Sequence, residues 1–191
     1  MERILDAAAD LCRVYGAAKT NVCDIASSLK MSSANIYRFF PSKSALYNAL
    51  VARVLETNFL VVRRGSRQLT SAAKLREFIL GQHRHNVALI RDEQRIYELL
   101  AIADEELWPA FDAHALRVRA FVAELIRDGI RRQEFRHCNS VRAAECFCTS
   151  TATLRKPKAA KSFRSDGDFM TPDDLVFFSV EALRSASPGL P

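Results

Sequence analysis

Glycine is scarce in this chain. Its six glycines among 191 residues stand so far apart that no GxGxxG, GxSxG or P-loop run can be written. Those loops let backbone N–H groups cradle a phosphate, or present a hydrolase serine, so catalysis has no anchor here and an enzyme is not expected. The five cysteines, Cys12, Cys23, Cys138, Cys146 and Cys148, are odd in number and form no CxxC pair. A disulfide framework is therefore not expected, and reduced thiols packed in a core are the default. His83 and His85 stand two apart, as do Cys146 and Cys148. That spacing puts neither pair on one helix face, so neither a metal nor another cofactor is expected. No apolar run approaches the roughly 18 residues of a membrane span. The opening "MERILDAAADLCRVYG" carries acids within its periodic pattern and lacks a small-residue cleavage site. A cytoplasmic protein with no membrane partner is the expectation.

What the chain does have is apolar material and a modest excess of positive charge. Forty-nine per cent hydrophobic residues and a mean hydropathy of -0.07 suffice for a real core. A net charge of +6 and a pI of about 9.3 are compatible with a polyanionic partner. Helical periodicity runs almost throughout, and no strand or repeat is apparent. Ile4, Ala8, Leu11 and Tyr15 recur at helical spacing and stop at Gly16. Asn21 can cap a second helix, with Asp24 completing a capping box, and Val22, Ile25, Ala26 and Leu29 form its stripe. Ser32 can cap a third helix a few residues later. Two short helices so close together make a helix-turn-helix pattern.

The third helix, "SSANIYRFFPSK" (32–43), raises a question of exposure. Ile36, Phe39 and Phe40 share an inward face, which leaves Ser33, Ala34, Tyr37 and Arg38 pointing outward. Pro41 closes the helix, and the next opens at Ser42 with Lys43, a cation where the macrodipole disfavours one. A helix entering the major groove needs small or hydrogen-bonding side chains near base edges. Ser33, Ala34, Asn35 and Arg38 supply such a face, while Tyr37 and Lys43 can hold phosphates.

After Pro41 the helices lengthen: 44–64, 72–90, 93–103 and 110–132, with Pro109 in the first turn of the last. A helix rich in small residues follows at 141–154, and a final one at 173–186 is introduced by Thr171-Pro172. The segment 155–172 lacks periodicity and is expected to be mobile. Its Arg155, Lys156, Lys158, Lys161 and Arg164 read as a solvated basic run.

The run "ILDAAADLCRVYGAAKTNVCDIASSLKMSSANIYRFFPSKSALYNALV" (4–51) resembles the DNA-binding domain of the TetR/AcrR family of bacterial repressors. It carries, in order, an "IL.AA..L" pattern, a Gly, "T...DIA" and "S...IY.FF.SK..L". The resemblance implies an all-α protein, with a helix-turn-helix domain at 1–47 and a ligand-binding and dimerisation domain at 48–191. It implies a homodimer on a near-palindromic double-stranded DNA operator and a small-molecule inducer. By position, Thr20 and Asn21 would meet phosphate, Ser32, Ser33, Ala34 and Asn35 would lie nearest bases or backbone, Tyr37 and Lys43 would hold phosphates, and Arg38 would read bases. Lys30 sits where the family usually has Gly, so its turn is expected to be left-handed and strained. The sequence opens directly at the first helix, so the basic arm of some relatives is not expected.

The expected function is a sequence-specific transcriptional regulator, a repressor released by a mainly apolar inducer through a population shift. The alternative is a dimeric helical protein that binds a ligand or partner and has lost specific DNA binding. Phe78, Tyr97, Trp108, Phe111 and Phe121 on the middle helices are candidates for an apolar pocket. The homodimer is expected to form through Ala144, Cys148, Thr151 and Ala152 on one helix and Leu175, Phe178 and Ala182 on the last.

Overall fold

The structure is a computed structural model of the chain and describes residues 1–64, 70–156 and 170–184. Its elements are α1 (Glu2–Tyr15), α2 (Val22–Ser28), α3 (Ser33–Tyr37), α4 (Lys43–Arg63), α5 (Ser71–Asp92), α6 (Gln94–Glu105), α7 (Pro109–Arg131), α8 (Ser140–Ser150), α9 (Ala152–Arg155) and α10 (Pro172–Glu181). The fold is all-α, with no strand among the described residues. The chain forms two compact units, one of residues 1–57 and 88–114, the other of 58–87 and 115–191. Compactness thus draws a different line from the expected division at 47 and 48. The reason for the difference is α6, which packs on α1 within the first unit.

In the first unit, α1 turns Ile4, Leu5, Ala8, Ala9 and Cys12 inward and ends at Gly16. There φ is 81°, a region glycine enters at no steric cost, and the Gly16 N–H donates to the Cys12 carbonyl at 2.8 Å. Ile96, Tyr97, Leu99, Leu100 and Ala103 of α6 complete this core, and Arg13 Nε donates to Glu93 at 2.7 Å at its edge. Tyr97, Trp108 and Phe111 belong to this core or pack against it.

The second unit is built around Phe59, Leu75, Phe78, Ile79, Val118, Val122 and Ile126. Phe59, Phe78 and Phe121 meet edge to face, with centroids 4.8–5.7 Å apart. That geometry adds about 0.5–1.5 kcal/mol per pair beyond burial. The turn after α7 brings Phe135 so close to Gly129 that a Cβ there would lie 2.1 Å from the ring.

Several expectations are corrected. Phe39 is 49% exposed rather than buried, because α3 ends at Tyr37 and the helical register does not reach it. The helix expected at 141–154 breaks at Thr151, whose hydroxyl donates to the Phe147 carbonyl at 2.7 Å. The final helix ends at Glu181, not 186. Ala144, Cys148 and Thr151 are buried within their own unit and form no exposed stripe. Of the cysteines only Cys12 and Cys148 are buried. Helix α4 is in fact long and apolar enough, by length and composition, to cross a membrane. Its Leu46, Tyr47, Leu50, Val51 and Leu55 instead pack in the first core and Phe59 in the second. Arg155 is not a solvated linker residue either: it is largely buried and donates to the Cys148 carbonyl. Lys158, Lys161 and Arg164, and most of the segment expected to be mobile, lie outside the described residues.

Candidate nucleic-acid interface

The surface around α2, α3 and the start of α4 is assembled from local hydrogen bonds that the sequence encodes directly. The Asn21 N–H donates to Asp24 Oδ2 at 2.8 Å, the return arm of the capping box. Ser32 Oγ accepts from the Asn35 N–H at 3.3 Å, which starts α3. Ser42 Oγ accepts from the Ala45 N–H at 3.0 Å, which starts α4. Between α2 and α3 the backbone reverses at Lys30 with φ 55°, so the expected left-handed turn is present without its glycine. The Met31 N–H donating to the Ala26 carbonyl at 3.0 Å holds that turn closed.

Helix α3 has only five residues and depends on its anchors. Ile36 is fully buried and Phe40, just beyond, is 5% exposed, which fixes the rotation of the helix. Ala34, Tyr37 and Arg38 are consequently exposed, and Ser33 and Asn35 half-buried. Residues 17–47 carry four cations, Lys19, Lys30, Arg38 and Lys43, against one acid, Asp24. The Lys43 ammonium lies over the Tyr47 ring, 5.6 Å from its centroid. That contact offsets part of the cost of a cation at a helix N-terminus. Tyr47 itself is pinned, its hydroxyl donating to the Thr20 carbonyl at 3.3 Å, and burial pushes its phenol up to about 12.

Thr20 does not join this surface. Its side chain is 1% exposed and its hydroxyl donates to the Gly16 carbonyl at 2.9 Å, so it stabilises the approach to α2 instead of facing a phosphate. One residue that sequence reasoning missed does join it. Cys23 is exposed, and the Ser33 hydroxyl donates to its sulfur at 3.4 Å. The signal was available: Cys23 falls outside the Val22, Ile25, Ala26 stripe of α2. The five aromatic candidates for a pocket are divided, Phe78 and Phe121 in the second unit and Tyr97, Trp108 and Phe111 in the first.

Comparison with known proteins bears directly on this arrangement. Residues 4–50 match the family described as bacterial regulatory proteins, tetR family. Residues 71–176, more than half of the chain, match the tetracyclin repressor-like C-terminal domain. The chain belongs to the TetR family. It is accordingly a transcriptional regulator with a DNA-binding and a ligand-binding part. Members of the family bind DNA and small-molecule ligands, form dimers and are typically not enzymes. No curated protein sequence matches this TetR-family chain. Solved structures share its fold at low identity. A transcriptional regulator from Cytophaga hutchinsonii ATCC 33406 is similar with a TM-score of 0.67 and 20% identity, covering 96% of this chain and 98% of that one. RolR (NCGL1110) without ligand gives 0.68 and 14%, covering 97% and 91%. RolR in complex with resorcinol gives 0.66 and 16%, covering 95% and 86%.

Proposed function

We propose that this regulator is a repressor whose dimer grips a near-palindromic operator with two copies of α3, and that a small, mainly apolar inducer releases it. The observation that carries the reading is the outward face of α3. A five-residue helix, fixed from below by Ile36 and Phe40, offers Ala34, Tyr37 and Arg38 to solvent in a neighbourhood of four cations and one acid. Ser32, Ser33, Ala34 and Asn35 approach the groove, Arg38 reads bases, and Asn21, Tyr37 and Lys43 hold phosphates that fix the docking angle. Cys23 belongs to the same set. The Ser33 hydroxyl hydrogen is engaged by its sulfur, so the oxygen of Ser33 turns acceptor lone pairs to the groove. An acceptor favours an adenine or cytosine amino group.

The dimer forms through the outward sides of α8 and α10. Val141, Phe177 and Phe178 are 63%, 63% and 73% exposed there, too much apolar surface to leave in water. An open groove of about 430 Å³ between these helices, lined by Ala143, Cys146, Phe147, Phe178 and Leu183, receives the opposing side chains. A two-fold axis makes such a face complementary to itself. The inducer occupies the second unit, near Phe78 and Phe121; the resorcinol complex of the similarly folded RolR supports a small aromatic molecule. Titrating the protein against DNA fragments at several salt concentrations tests the reading. Sequence-selective binding that weakens steeply with salt supports it, and equal binding to every fragment overturns it.

A further inference from the structure

The second unit buries polar atoms that its own residues leave unused. Gln82 is 2% exposed and Asn58 5%, yet Gln82 Oε1 and Asn58 Oδ1 have no hydrogen-bond partner among the described residues. Arg155 is more unusual. One guanidinium nitrogen donates to the Cys148 carbonyl, while Nε is sealed from solvent and unpartnered, and no carboxylate pairs with it among the described residues. A buried cation without a counter-charge is costly. Burial pushes Arg155 below the usual arginine range; the nearby Cys148 opposes part of that shift, and Arg119 adds a smaller like-charge repulsion.

These groups are brought together by α5. Leu75, Phe78, Ile79, Gln82 and Asn86 form its buried stripe at helical spacing. The Asn86 side-chain amide donates to the Arg155 carbonyl at 2.9 Å, so this end of the stripe lies against α9. One turn before Gln82, Phe78 meets Phe59 and Phe121. Along one helix face the surroundings therefore change from aromatic at Phe78, to a Gln82 carbonyl oxygen without a partner among the described residues, to the backbone of Arg155 at Asn86.

We infer that the inducer of this regulator is a small organic acid, its carboxylate on Arg155, a hydroxyl donating to Gln82 Oε1, and its apolar body towards Phe78 and Phe121. The inference rests on the second unit being the ligand-binding part. A carboxylate supplies the missing counter-charge and accepts from the idle Nε, a charge-assisted pair stronger than a neutral one. A hydroxyl supplies the donor that the Gln82 carbonyl lacks. Because these polar atoms have no partner among the described residues, the ligand supplies contacts that those residues do not.

The test is calorimetric titration of the full chain with 3-hydroxybenzoate, its uncharged amide 3-hydroxybenzamide, benzoate and resorcinol. The acid should bind about tenfold or more tighter than the amide, the margin of a charge-assisted hydrogen bond. In Arg155→Met that preference should vanish, while the ligand-free variant melts no lower than the parent. A purely structural arginine would instead lower the melting temperature. Should Arg155→Met fail to fold, Gln82→Leu serves. It should keep the preference for acid over amide and lose the advantage of 3-hydroxybenzoate over benzoate. Equal binding of acid and amide, no binding of either, or a preference that survives Arg155→Met overturns the inference. If resorcinol or the amide nonetheless binds and releases DNA, the ligand-responsive reading stands and the carboxylate alone is lost. If a broad set of neutral compounds and acids leaves DNA binding untouched, the inducer reading itself fails.

Discussion

The surface around α3 and the interior around α5 treat polar groups in opposite ways. On the surface, each cap is satisfied locally: Ser32, Ser42 and Asp24 each accept from a backbone N–H within a few residues. The cations there keep their water, and Lys43 rests on an aromatic ring. In the interior, Gln82, Asn58 and Arg155 hold atoms away from solvent that have no partner among the described residues. A partner of the surface is recruited by charge and shape, at little expense to the free protein. A partner of the interior would relieve a penalty already present. The two sites thus differ in how mutations report on them, since stability and binding separate on the surface and oppose each other inside.

On α3 itself, neighbouring residues face opposite ways. Ile36→Ala should destabilise the protein by about 2–5 kcal/mol in denaturant unfolding, whereas Tyr37→Phe should change stability by less than about 0.5 kcal/mol. Equal effects would mean that the two faces are not distinct. Next in size is the exposed apolar face of α8 and α10. Phe178→Asp should weaken association by about 2 kcal/mol or more and yield monomers in light scattering, with helical content unchanged. A variant that remains dimeric at micromolar concentration places the interface elsewhere.

Lys43→Ala separates stability from DNA binding on the surface. Its helix-terminus cost of about 0.3–1 kcal/mol and its ring contact of about 0.5–1 kcal/mol nearly cancel, so the melting temperature should hold. Affinity for all DNA sequences should fall alike, with the salt slope lower by about one unit per subunit. Lys30 adopts a left-handed φ of 55°, so Lys30→Gly should raise stability by up to about 1 kcal/mol in thermal unfolding. A clear loss would mean that the lysine side chain contributes more than the turn costs.

The smallest effect belongs to the interior. Burial holds the His83 imidazole below its ordinary value of about 6.5, with a backbone hydrogen bond at Leu154 opposing that shift. The unfolded chain therefore binds the proton more readily, and stability is lost as pH falls below about 6.5. The decline in melting temperature between pH 7 and pH 5 should be shallower in His83→Gln than in the parent.

Much of the surface was legible in the sequence because its physics is local. Caps, the breaker at Gly16, the stripe of α2 and the position of Lys43 all depend on residues within four places of one another. The exceptions are instructive. Thr20 looked like a phosphate contact but is held by Gly16 and Tyr47, the latter 27 residues away in sequence. Phe39 shares helical spacing with Ile36 and Phe40, but α3 ends at Tyr37 and leaves it exposed. Residue type alone puts Cys23 in a core, although its place on α2, off the Val22, Ile25 and Ala26 stripe, points outward. The interior was hardly legible. Arg155 sat in a run of basic residues that composition alone marks as solvated, and only packing against α5 and α8 buries it. Gln82 and Asn86 follow the apolar period of α5 and so could be read only as breaks in it. Nothing local distinguishes a polar residue facing water from one facing a ligand.

If the outward face of α3 reads a DNA sequence, selection of preferred duplexes from a random pool will reveal it. An inverted repeat should be enriched, with half-sites about one helical turn or a multiple of it apart. Ser33→Ala, Cys23→Ala or Arg38→Ala should shift the selected bases, and Lys43→Ala should leave them unchanged while lowering the yield. A pool that emerges without enrichment, or a selected motif indifferent to Ser33, Cys23 and Arg38, would contradict it.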